Sequence, residues 1–86
     1  MTRAYVLLDI VNGNHDRALH SLKNCAGVVL ADRLEGQPYI IALVEAPNRD
    51  LLAETIMPVI SSVDSITENI NILVSANNDV YNKVPT

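Results

Sequence analysis

The sequence predicts one small α+β domain in β-α-β-β-α-β order, and it predicts that the domain pairs with a second copy of itself. Three observations carry this reading. Four short runs are rich in β-branched and aromatic residues, two longer segments repeat apolar residues with the helical period, and the strands are apolar on both of their alternating sides. The 86 residues make a single domain, of a size that buries about 60–65% of the surface its unfolded chain exposes. Tyr5, Tyr39 and Tyr81 are the only aromatic residues, so the core must be built from Leu, Ile, Val and Ala.

Ala4 to Val11 reads as the first strand, ended by Asn12-Gly13-Asn14. Gly13 or Asn14 then caps a helix with Asp16 in its first turn, where the macrodipole favours an anion. Ala18, Leu19, Leu22, Cys25 and Ala26 form its apolar stripe, and Gly27 stops it. Val28 to Leu34 is the second strand. Glu35-Gly36-Gln37-Pro38 is a hairpin connection into the third, Tyr39 to Glu45. Ala46-Pro47-Asn48 breaks that strand and caps a second helix with the stripe Leu52, Ile56, Val59, Ile60 and Val63. Pro58 inside it removes a backbone donor and predicts a kink or a restarted turn. Ile66 to Val74 is the last strand. The domain then spans residues 1–74, and 75–86 is a polar tail that orders only where a partner holds it. Right-handed crossovers give a ferredoxin-like antiparallel sheet with both helices on one face.

Residues on a strand alternate between faces. Ala4, Val6, Leu8 and Ile10 oppose Tyr5, Leu7, Asp9 and Val11; Ile40, Ala42 and Val44 oppose Tyr39, Ile41, Leu43 and Glu45. Both sets are mostly apolar, and two helices cover only one face. A second copy, packed sheet to sheet as a closed symmetric dimer, covers the other, with Tyr5, Leu7, Ile41 and Leu43 at the interface. In the last strand Thr67, Asn69 and Asn71 share a face with Leu73. This polar ladder contacts either a small polar ligand, solvent or the other subunit. Asp9 is the unusual charge among apolar neighbours, and must be paired or near water. It faces a ligand pocket, or it pairs across the dimer with a cation such as Arg33.

The formal charge is −4 and the six basic residues are scattered, which gives no footprint for nucleic acid. Cys25 is the single cysteine, so neither an internal disulfide nor a zinc knuckle is possible, in keeping with a reducing cytosol. It reads as a small hydrophobe on a helix face. No targeting segment is visible, and the longest uncharged apolar run, Tyr39 to Val44, is far short of a membrane span. The expectation is a soluble cytoplasmic protein that uses no cofactor or metal. His15 and His20 are about 140° apart on a helix, do not converge, and read as solvated surface residues. Phosphate-cradling motifs are missing, although Asn12-Gly13-Asn14 before a helix could hold one anion.

The runs Ala-Tyr-Val-Leu-Leu-Asp-Ile (4–10), Ala-Leu-His-Ser-Leu-Lys-Asn-Cys-Ala-Gly-Val (18–28) and Glu-Gly-Gln-Pro-Tyr-Ile-Ile-Ala-Leu-Val-Glu-Ala (35–46) resemble the C-terminal domain of the Lrp/AsnC family. That domain is called the regulation of amino-acid metabolism (RAM) domain, and the similarity runs from residue 4 to about 74. The resemblance implies a dimeric α/β barrel that assembles further into tetramers or octamers. It implies a small effector, usually an amino acid, held between dimers by the turn after the second strand and the start of the last. By position, Gly36 matches the turn glycine, Gln37, Pro38 and Tyr39 fill the places after it, and Thr67 and Asn69 match a Thr-x-Thr pattern. The expected ligand set is therefore Gly36, Gln37, Tyr39, Thr67 and Asn69. The family turn often carries an Asp that meets a ligand amino group; here Tyr39 stands in that place and Ile40 follows, so the amino group needs another partner. The family's full-length regulators also carry an N-terminal helix-turn-helix, whereas this chain begins at its first strand and looks like a stand-alone RAM-type domain.

The functional expectation is a non-enzymatic domain that binds a small effector and oligomerises. It acts in transcriptional or metabolic regulation without contacting DNA itself, with a full-length Lrp/AsnC-type regulator as a further partner. Two alternatives stay open. ACT amino-acid-sensing modules share the β-α-β-β-α-β order and bind near the turn after the first strand, so a ligand at Gly13 and Asn14 would favour them. A small barrel enzyme such as a cofactor-free monooxygenase would show a deep pocket in one subunit lined by His or Asp.

Overall fold

Among the described residues six elements follow one another in the expected order: β1 (Thr2–Ile10), α1 (His15–Lys23), β2 (Val28–Arg33), β3 (Tyr39–Ala46), α2 (Arg49–Val63) and β4 (Thr67–Val74). A short 3-10 turn over Asp64–Ile66 joins α2 to β4. The computed structural model describes residues 1–75, so the expected tail, from residue 76 on, lies outside the described residues. The four strands form one antiparallel sheet in the order β2-β3-β1-β4, which is the ferredoxin-like arrangement.

One face of the sheet is closed by the helices. Ala4, Val6, Leu8 and Ile10 of β1 and Ile40, Ala42, Val44 and Ala46 of β3 are buried there against Ala18 and Leu22 of α1 and Leu52, Ile56, Val59 and Val63 of α2. These are the stripe residues that the helical period singles out, and each large one stabilises the fold by roughly 1.5–3 kcal/mol. The core is wholly aliphatic.

The helices differ from the expectation in two places. α1 stops at Lys23, before Cys25 and Ala26. The N–H groups of Asn24 and Cys25 turn back to the carbonyls of Ser21 and Leu22, and the Asn24 side-chain amide donates to the His20 carbonyl at 2.9 Å. A short polar side chain that satisfies the last carbonyls competes with continuing the helix. Cys25 is half-buried in the turn that follows, and Ala26 is exposed. α2 opens as expected, with the Asn48 side chain accepting from the Leu51 N–H at 2.9 Å. It then runs through Pro58 without the expected restart. Pro58 and Glu54 both lie on the solvent side, so the carbonyl that Pro58 leaves without a donor is open to water.

The other face carries no helix among the described residues, and its register sets out three rows. Tyr5 stands between Leu43 and Leu73, with Leu30 beyond Leu43. Leu7 stands between Ile41 and Asn71, with Asp32 beyond Ile41. Asp9 stands between Tyr39 and Asn69. At the far end Arg3 pairs with Glu45, their side chains 3.2 Å apart. Tyr5, Leu7, Ile41 and Leu43, the expected interface residues, therefore share this open face. Leu30 and Leu73 beside them are 52% and 61% exposed.

A bulge between Asp9 and Ile10 corrects the expected polar ladder. It leaves Glu68 as the extra residue, so Thr67 pairs with Ile10 and falls on the helix side. Its hydroxyl donates to the Val63 carbonyl at the end of α2. Asn69, Asn71 and Leu73 remain together on the open face.

Candidate ligand-binding site

The hairpin between β2 and β3 is closed by the Gln37 N–H on the Leu34 carbonyl at 3.1 Å and the Leu34 N–H on the Tyr39 carbonyl at 3.0 Å. Gly36 sits in it with φ +74°, and a Cβ added there would meet nothing, so glycine is required by conformation and the turn's surface is open. The turn is held down from below. His15, at the start of α1, is only 6% exposed and its Nε2 lies 2.9 Å from the Pro38 carbonyl. A carbonyl can only accept, so Nε2 carries the proton. This overturns the expectation that His15 is solvated; His20 is exposed as expected. The cause is tertiary, since the hairpin from β2 to β3 folds over the first turn of α1.

Two hollows flank the turn. The larger, about 550 Å³, is lined by Asn12, His15, Arg33, Glu35, Gly36, Gln37 and Pro38. It brings a guanidinium and a carboxylate to the rim of one depression. The smaller, about 300 Å³, is lined by Leu7, Asp9, Tyr39, Asn69, Ile70 and Asn71 and belongs to the third row of the open face. The five expected ligand residues are thus divided: Gly36 and Gln37 line the first hollow, Tyr39 and Asn69 the second, and Thr67 lines neither. Asn12 of the loop after β1 shares the first hollow with Gly36, so the two locations that were to separate an ACT-like mode from a RAM-like one are neighbours.

Arg33 pairs with Ile40 and so stands on the helix side of the sheet, whereas Asp9 faces the open side. Within one chain the two groups therefore belong to opposite faces. That Asn12, Arg33 and Glu35 meet in one hollow escapes sequence reasoning, because nothing in their spacing shows that a hairpin tip meets a helix start. Among the described residues no group of three or more His, Cys, Asp and Glu is placed to hold a metal. No helix among them is long and apolar enough to cross a membrane.

These features define a ferredoxin-like α+β domain with one sheet face uncovered by the described residues and two hollows at the hairpin end. No family model matches the sequence, and no curated protein matches it. Solved structures do. A hypothetical protein of Pyrococcus horikoshii is similar with a TM-score of 0.77 and 18% identity, over 91% of this chain and 93% of that one. A transcriptional regulatory protein of Pyrococcus furiosus, a member of the AsnC family, is similar with a TM-score of 0.69 and 24% identity, over 88% of this chain and 51% of that one. AsnC of E. coli gives a TM-score of 0.67 and 19% identity, over 91% and 53%. This chain spans about half the length of those two regulators. A protein of Nitrosomonas europaea assigned as an antibiotic biosynthesis monooxygenase is also similar, with a TM-score of 0.62 and 8% identity over 91% and 99%. At these identities the likeness shows a shared fold, and that fold is the one found in Lrp/AsnC-type regulators.

Proposed function

We propose that this chain is a regulatory domain that binds a small polar metabolite, an amino acid or a relative of one, and couples its occupancy to self-association in the cytoplasm. The observation that carries the reading is the pair of hollows at the hairpin end of the sheet, the smaller of which lies on the uncovered apolar face. A ligand seated there lies next to the surface a second copy would cover, and whatever binds only the assembled form stabilises it by mass action. Gly36 lets the turn's backbone approach a ligand, and the His15 bond to Pro38 keeps the turn in place before the ligand arrives. Arg33 and Glu35 offer opposite charges to the two ends of a zwitterion. The role is non-enzymatic. The likeness to AsnC-type regulators supports it, as does the larger hollow, where the one histidine already holds a backbone carbonyl. A full-length regulator of the same fold is the natural protein partner.

Calorimetry across the twenty amino acids, repeated with Gly36→Val, tests the reading. The expected outcome is binding of at least one of them, weakened about tenfold or more when a β-branched residue is forced to φ +74° in the turn. A ligand whose affinity Gly36→Val leaves unchanged moves the site away from the turn. Absence of any ligand leaves the domain as an assembly module.

A further inference from the structure

The third row of the open face differs chemically from the two above it. Leu30, Leu43, Tyr5, Leu73, Ile41 and Leu7 offer an apolar surface that a second copy can cover. Asp9, between Tyr39 and Asn69, cannot be covered that way, because a carboxylate taken from water without a partner is strongly disfavoured. Of the other acids on this face, Glu45 has its cation 3.2 Å away on Arg3, and Asp32 stands exposed on the edge strand β2, where its side chain accepts the Arg33 N–H at 2.8 Å. Among the described residues the Asp9 carboxylate makes no ion pair, and no cationic side chain lines the hollow of about 300 Å³ in which it sits. Asn69 and Asn71 reach the same hollow from β4, and Tyr39 reaches it from β3.

We infer that this hollow takes the ammonium group of a small primary amine. The Asp9 carboxylate receives the charge. The Tyr39 hydroxyl and the Asn69 side-chain carbonyl accept the two remaining N–H groups, and Leu7, Asn71 and the Tyr39 ring line the space for a short aliphatic chain. A carboxylate ligand finds no cation here and is repelled by Asp9. The inference rests on the ligand-binding reading above and deepens it by naming the charge that the open-face hollow selects.

Butylamine, butyramide and butyrate have similar size and differ in charge. Each is titrated at neutral pH and low salt into the isotope-labelled full chain, and backbone amide shifts are followed. Butylamine is expected to move the signals of residues 7–9, 39 and 69–71, and to bind about fivefold or more tightly than butyramide, with no binding of butyrate. Asp9→Asn, nearly isosteric, is expected to lower butylamine affinity about fivefold, and high salt to lower it in the wild type. Glu45→Gln, a neutralised acid on the same face, is expected to leave it unchanged. Asn69→Leu, at an exposed edge-strand position, gives a second variant that weakens butylamine binding. Equal binding of the three compounds, or unchanged affinity in Asp9→Asn, overturns the inference. If Asp9→Asn instead weakens self-association alone, Asp9 belongs to the subunit contact and the inference also fails. Binding of neutral or anionic metabolites at the turn with Asp9→Asn silent leaves the broader reading standing; no binding by any compound or amino acid removes both.

Discussion

Gly27 and Gly36 are both glycines with positive φ, at +88° and +74°, yet they answer to different constraints. At Gly36 the space beyond the backbone is empty. At Gly27 a Cβ would run into the Thr55 methyl group of α2, and the Gly27 carbonyl accepts the Glu45 N–H at 2.9 Å. Gly36→Ala is therefore expected to cost about 1 kcal/mol for conformation alone, and Gly27→Ala about 2–4 kcal/mol for conformation plus collision. Thr55→Ser removes the methyl, so the double variant Gly27→Ala/Thr55→Ser should recover the collision part and keep the conformational part. Urea denaturation of the four chains checks the coupling; strict additivity would mean that the contact does not matter. As a residue in sequence, Gly27 reads only as a helix stop. Its proximity to α2 depends on a packing contact made 28 residues later, which no local pattern contains. His15 was illegible for the same reason, since its burial comes from Pro38.

Periodicity located every element, because burial on one side of a helix or strand is what writes the pattern into the sequence. It failed where local hydrogen bonding decides, as at the end of α1, where Asn24 satisfies the final turn while the apolar spacing continues to Cys25 and Ala26. It also failed at β4, where one bulged residue moves Thr67 to the opposite face. That shift separates Thr67 from Asn69 and Asn71, which stay on the open face. α2 poses a different case, since it tolerates Pro58 on its exposed side. Pro58→Ala restores an N–H for the Glu54 carbonyl and removes a ring from the helix interior. It should stabilise the protein by about 1 kcal/mol or more, read as a raised denaturation midpoint at unchanged slope. A lower midpoint would show that the ring itself is packed.

At the scale of the whole molecule, alternation in β1 and β3 made the doubly apolar sheet visible without coordinates, and the structure places Tyr5, Leu7, Ile41 and Leu43 together on its helix-free side. Leu43→Asp puts a charge at the centre of the apolar rows. Sedimentation equilibrium is expected to give a dimer for the wild type at micromolar concentration and a monomer for Leu43→Asp, with far-ultraviolet circular dichroism unchanged. A wild-type monomer of 9.4 kDa would show that the face is left to another partner. The division of the ligand residues between two hollows was not legible in this way. It depends on how the hairpin leans over α1 and on the bulge beside Asp9.

The position of β1 at the centre of the sheet has a consequence for how the chain reaches its fold. β1 is made first, but its neighbours are β3 and β4, and its pairing with β4 joins Ala4 to Val74. Nearly the whole described chain must be synthesised before the central strand has both partners. Local contacts within α1 and α2 form early, while the sheet closes last and over the longest loop, a high-contact-order route that is slow for so small a domain. Until then β1 can pair with β3 on one side only and leaves its other edge open, and a nascent chain halted before residue 67 is the species most exposed to misassociation.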